Sequence, residues 1–177
     1  MAVQPYLKVI FQPFIQKRYV LLYHWFSKMS DFYLAQINVG HLVAPLNSDQ
    51  LTGFTSALNS INTLADQSPG FVWRLQSEGG DATSIQVFDD ELVIINMSIW
   101  ESVESLKNFT YNSSHGQMIK RRQEWFEKFI TSHLALWWIE RGQFPTPEEG
   151  RQRLELLDTN GPTEYAFTFR KLFDKPV

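Results

Sequence analysis

Nine consecutive residues, LVIINMSIW at 92–100, contain no charge, glycine or proline, and Val93, Ile94, Ile95 and Ile99 are β-branched. The run is short for a buried helix and has the composition of a strand. Alternation puts Val93, Ile95, Met97 and Ile99 on one face, and Leu92, Ile94, Asn96, Ser98 and Trp100 on the other. One face is wholly apolar, while the other turns polar toward its end. Such a strand must lie within a sheet covered by a second layer on at least its apolar side.

The flanking sequence supplies the rest of the sheet. FYLAQINVGHL alternates Ala35, Ile37 and Val39 with Gln36, Asn38 and Gly40. A helix follows, capped by Ser48, with Leu51, Phe54, Leu58, Ile61 and Leu64 at helical spacing, and it stops before SPG because Pro69 disfavours helical geometry at Ser68. FVWRLQS reads as a strand, EGGDATS as a glycine-rich loop, and IQVF as a short extra strand before the DDE turn. After residue 100 the spacing predicts two helical pieces, ESVESLKNF and HGQMIKRRQEWFEKF, with Ser113 or Ser114 capping the second. HLALWWIERG is a further strand. Thr146, Pro147 and Glu149 open a last helix as a capping box, and Gly161 and Pro162 lie past its end. YAFTFRKLF alternates once more and is expected to return to a sheet edge.

The order is β-α-β-β-α-β plus a C-terminal helix and a returning strand, an α+β class and the ferredoxin-like arrangement. At 177 residues, with 44% hydrophobic and 20% charged side chains, residues 29–177 suffice for one domain with a substantial core. Residues 1–28 carry Lys8, Lys17, Arg18 and Lys28 and no acidic residue, so this N-terminal extension is net +4 and the remainder of the −3 chain is net −7. An acidic body argues against nucleic-acid binding and makes KRRQEW a solvated helix face. The run YVLLYHWF is too short to span a bilayer and no cleavage pattern follows it. Met29 is therefore the expected start of the domain. The alternative for residues 1–28 is a basic aromatic arm that adsorbs to a membrane surface. The chain has no cysteine, which excludes disulfides, thiolate catalysis and zinc–thiolate sites and fits a cytoplasmic protein.

Strand alternation also marks a leftover face. Ala35, Ile37 and Val39 suit packing under helices, which leaves Gln36 and Asn38 opposite, with Arg74, Gln76, Asn96, Ser98 and Trp100. Phe71, Trp73 and Leu75 share one side of their strand, and His133, Ala135, Trp137 and Ile139 share one side of theirs. A few polar groups among aromatics is the make-up of a small-molecule pocket, the alternative being a solvated face or a polar subunit interface. The ligand-binding candidates are Gln36, Asn38, Asn96, Ser98, Trp100 and Trp137. His115, at a helix start where the dipole favours neutral imidazole, is the candidate base, and Arg74 the partner of a developing oxyanion. A histidine bonded locally at a helix start is the plainer reading of His115. No phosphate loop, metal-spaced cluster or nucleophile elbow is present, so neither a metal nor a cofactor is expected.

At AQINVGHL, SPGFVWRLQ, NMSIWESVESLKNFTYNSSHGQMIKRRQEWF, LALWWIERGQFPTPEEGRQRLELL and NGPTEYAFTF the chain resembles the domain of unknown function 3291 family of the dimeric α/β-barrel superfamily. The likeness runs in order through roughly residues 31–170. It implies a homodimer in which two ferredoxin-like sheets pack face to face, and it supplies no established reaction. Superfamily relatives include cofactor-independent antibiotic-biosynthesis monooxygenases and haem-degrading monooxygenases. The latter use an Asn, a Trp and a His, loosely paralleled by Asn38, Trp100 and His115. The longer Trp-to-His separation and the inserted cap depart from that pattern and put haem ligation in doubt. The function that follows as an expectation is a cofactor-independent, monooxygenase-like enzyme on an aromatic or polyketide-like molecule; the alternatives are a dimer that holds a small apolar ligand unchanged and a haem-binding or haem-degrading protein.

Overall fold

The computed structural model describes residues 31–113, 116, 120–128 and 131–176. Four strands, β1 (Phe32–His41), β2 (Phe71–Arg74), β3 (Val93–Trp100) and β4 (Leu134–Glu140), form one sheet in the order β2-β3-β1-β4. Every pairing is antiparallel. Helix α1 (Thr52–Asp66) joins β1 to β2, α2 (Val103–Asn112) follows β3, and α3 (Pro147–Asn160) follows β4. This is the ferredoxin-like topology with an added helix.

Local chemistry sets the element ends. A 3-10 turn, Asp49–Leu51, leads into α1, and Gly70 beyond its end takes φ 78°, a conformation that only glycine adopts freely. Ser102 caps α2 by accepting the Ser105 N–H, and Thr146 caps α3 by accepting the Glu149 N–H, with Pro147 at its first position. Glu149 does not complete the capping box, because its carboxylate pairs with Arg153 at 2.7 Å. Ser113 closes α2, its hydroxyl donating to the Phe109 carbonyl. Of the second helical piece expected at 115–129, residues 115, 117–119 and 129 lie outside the described residues; Lys120 and Arg121 are helical, Arg122–Glu124 form a 3-10 turn, and Phe126 bridges to Leu42, so the described part leaves the helix before its expected end.

Three expectations change. IQVF makes no ladder, although Ile85, Val87 and Phe88 still pack on the sheet. In FVWRLQS a bulge between Phe71 and Trp73 inserts one residue, so Phe71 faces Trp100 while Trp73 and Leu75 join the opposite side. The returning segment makes one antiparallel bridge to the sheet, with Leu136 and Phe167 exchanging two backbone bonds of 2.8 Å at the β4 edge.

The placement of the helices also differs from expectation. Ala35, Ile37, Val39, Ile95, Met97, Ile99, Ala135 and Trp137 pack against Leu154 and Leu157 of α3. Gly150 lets α3 approach: a Cβ there would lie 2.7 Å from Ile37 Cδ1. The opposite face, with Leu34, Gln36, Ser98, Trp100 and Leu136, lies under α1 and α2. The polar face is therefore the one the crossover helices cover. Alternation groups side chains by face but does not choose which helix lies over each. No helix among the described residues is long and apolar enough to cross a membrane.

Candidate functional site

Between the polar sheet face and α1 and α2 lies a cavity of about 350 Å³, within the range of small-molecule sites. Strand register builds its floor. Leu34 is opposite Trp100, Gln36 opposite Ser98, and Asn38 opposite Asn96. Facing pairs on neighbouring strands share a face, so residues some sixty positions apart become one surface. Phe54, Leu58, Ile61 and Ala65 of α1 and Leu106 and Phe109 of α2 form the walls, with Trp125 and Phe126 beyond the 3-10 turn. Phe126 lies against β1 because residue 40 is glycine; a Cβ there would sit 2.5 Å from the ring.

The floor carries a connected hydrogen-bond network. Gln36 Nε2 donates to Asn96 Oδ1 at 2.8 Å and to Ser98 Oγ at 2.9 Å. Trp100 Nε1 donates to Ser98 Oγ at 2.8 Å. Gln36 and Ser98 are buried at 6% exposure, and Trp100 is sealed beneath the cavity between Phe71 and Phe109. Asn38 and Asn96 are exposed although they lie within strands, because they face the cavity.

The other sequence candidates are distributed differently. Arg74 lines the cavity, but its Nε and Nη2 hold both Asp66 carboxylate oxygens, at 2.8 and 3.3 Å, and Nη1 donates to the Gly80 carbonyl at 2.7 Å. Its charge is thus matched before any ligand arrives. Trp137 lies on the opposite face, 1% exposed beneath the Arg153 guanidinium. Its indole N–H is buried without a hydrogen-bond partner among the described residues. Gln76 is exposed and lies beyond β2. His115 lies outside the described residues. Among those residues no group of His, Asp and Glu is arranged to hold a metal ion.

Sequence reasoning left out Phe54, Phe109, Trp125 and Phe126 as cavity walls, since helical phase makes a cavity wall look like core. It also left out His133, which precedes β4 and lines the cavity. Burial, followed by the positive charges of Arg122 and Arg170, holds the His133 imidazole below the ordinary value of 6.5. The unfolded chain therefore binds this proton more readily than the folded one. Stability is complete above pH 6.5 and declines as pH falls through 6.5 toward the lowered folded value. His133→Gln is expected to remove that acid-side decline, read as melting temperature between about pH 8 and about pH 5. An unchanged pH slope would exclude His133 as its source.

Several solved structures are similar. PA3566 from Pseudomonas aeruginosa is 14% identical with a TM-score of 0.43, over 65% of this chain and 98% of that one. SnoaB, a cofactor-independent oxygenase from Streptomyces nogalater, is 10% identical with a TM-score of 0.41, over 65% and 97%. The ActVA-Orf6 monooxygenase from Streptomyces coelicolor, solved with nanaomycin D, is 11% identical with a TM-score of 0.39, over 66% and 94%. No curated protein matches the sequence. The profile of one family matches residues 33–177, nearly the whole described chain, and the protein belongs to that family, the domain of unknown function DUF3291.

Proposed function

We propose that the cavity takes a planar aromatic molecule bearing hydroxyl or carbonyl oxygens, and that the protein oxidises it with dioxygen and no cofactor. The floor supports this reading most directly. Gln36 and Ser98, the buried polar side chains of the described core, sit with Asn96 and Trp100 at the base of an aromatic-walled cavity. Burying polar groups costs free energy unless they are bonded, and an apolar filling would have avoided that cost. A ligand oxygen explains why they are there.

In the proposed reaction a base removes a proton from an acidic ring carbon, and Asn38 and Asn96 donate to the enolate oxygen. One atom of dioxygen then ends on that carbon as a carbonyl. The other leaves as water with the carbon's two hydrogens, so anthrone would give anthraquinone. His115 is the proposed base. Arg74, already paired with Asp66, holds the cavity rim and leaves anion stabilisation to the asparagines.

The reading includes a homodimer. Tyr33, Trp73 and Ile139 are only partly buried on the apolar face that α3 covers, and a second copy packed there would complete their burial. Anthrone supplied to the protein is expected to raise oxygen uptake in an oxygen electrode. His115→Ala should lower that uptake at least about 100-fold while anthrone still binds, and sedimentation should give twice the 20.7 kDa chain mass. Saturable binding without oxygen uptake would leave a ligand-holding protein instead. Full activity in the variant would remove His115 from the reaction, and a monomer would reject the dimer.

A further inference from the structure

The network on the cavity floor has two hydrogen-bonding states with the same number of bonds. In the first, both Gln36 Nε2 protons are used, on Asn96 Oδ1 and Ser98 Oγ. Gln36 Oε1 and Asn96 Nδ2 then have no partner among the described residues, and neither is sealed from the cavity. In the second, both amide groups are turned over. Asn96 Nδ2 and the Ser98 hydroxyl now donate to Gln36 Oε1, while Gln36 Nε2 and Asn96 Oδ1 face the cavity. The heavy atoms keep their places, because an amide's oxygen and nitrogen occupy equivalent positions.

Trp100 makes both states available. Its indole N–H only donates, so Ser98 Oγ accepts it in either case and keeps its own proton to place. Each state has three bonds inside the network. The first offers the cavity an acceptor at Gln36 and a donor at Asn96, and the second offers the reverse.

We propose that Gln36 and Asn96 turn over together to read an aromatic ligand's oxygen as either hydroxyl or carbonyl, so that the site accepts both tautomers of a hydroxy-ketone. The inference rests on the ligand-binding reading of the cavity and deepens it. A substrate that passes from hydroxyl to carbonyl form stays bonded throughout, since the floor changes polarity with it.

The test uses naphthol, which can donate, and its methyl ether, which can only accept, with affinities taken by calorimetry. The wild-type protein is expected to bind both within about tenfold of each other, roughly one hydrogen bond's difference. Asn96→Asp replaces the turning amide with an acceptor on both oxygens. Gln36 Nε2 must then point at the carboxylate, and only acceptors face the cavity. Naphthol binding should be kept within a few-fold, and the ether should bind at least about tenfold more weakly.

Equal weakening of both ligands by Asn96→Asp would mean a contact was merely lost, and would overturn the proposal. Discrimination beyond about 100-fold by the wild-type protein would mean that the ligand oxygen meets a single group of unchanging polarity, overturning the proposal while leaving the cavity reading intact. Binding of neither ligand would defeat the cavity reading and the proposal with it. Asn96 is exposed to the cavity, so the variant should fold. Independently, the side-chain amide resonances of Gln36 and Asn96 in the wild-type protein should shift in opposite senses with the two ligands, and shifts in one sense would overturn the proposal.

Discussion

Trp100→Ala is expected to cost about 3–5 kcal/mol of stability, a large part of what a domain of this size has. The ring has 0% exposure, lies 5.1 Å from Phe109 in a stacked arrangement, and meets Phe71 edge-on at 5.3 Å. Its removal opens a void among Leu34, Val103, Leu106, Leu136 and Phe167, which belong to β1, α2, β4 and the C-terminal segment. Elements so far apart in sequence cannot all close on the gap. The substitution also leaves the network one donor short at Ser98. Trp100→Phe separates the two effects. It keeps most of the ring contacts and loses the N–H, and should cost about 1–2 kcal/mol. Urea denaturation followed by circular dichroism measures both. A cost below about 1 kcal/mol for the alanine variant would mean that this side chain is not packed as described.

Phe167→Ala is expected to cost a comparable amount, about 3–5 kcal/mol, although the residue lies in a segment with almost no regular structure. Phe167 is 0% exposed and fills the same cluster as Trp100, with Trp138 at 6.4 Å and Phe173 at 5.8 Å. Its backbone is held to Leu136 by a reciprocal pair of 2.8 Å bonds. The C-terminal segment thus covers the edge of β4 and supplies core that the four strands lack. Phe167→Leu keeps much of the volume and should cost about half as much. Melting temperatures of the two variants give the comparison, and equal values would place the cost in the backbone pairing instead of the ring.

The two predictions differ in how far each could be anticipated. Trp100 was legible: it ends an unmistakable strand, on the face that also bears Asn96 and Ser98. Phe167 was legible only as part of an alternating run, because nothing local distinguishes a one-bridge segment from a full strand. IQVF shows the converse. Its alternation resembles a strand, yet its side chains reach the sheet from a loop. Whether an apolar alternating run pairs is decided by the free edges available to it, and those belong to the whole sheet.

The candidate site divides in the same way. That Gln36, Asn38, Asn96 and Ser98 share a face follows from period-two alternation, which the backbone imposes locally. That Gln36 meets Ser98 and Asn38 meets Asn96 follows from register between strands separated by a helix and a hairpin, and register is set by packing. Phe71 changed sides because a bulge consumed one residue. Trp137 could be assigned to a face but not to the cavity, since alternation left open which layer covers that face.

The sequence by itself determined the order of the four sheet strands and their helices, the shared face of Gln36, Asn38, Asn96 and Ser98, and the Thr146 cap, because all three arise from interactions within a few residues. Only the tertiary structure decided that the crossover helices lie over the polar face and that α3 packs on the apolar one. It also decided that Asp66 claims Arg74, and that Gln36, Asn96, Ser98 and Trp100 join into one network. Each of these depends on which distant segments compete for the same surface, and that competition is settled by burial across the whole domain.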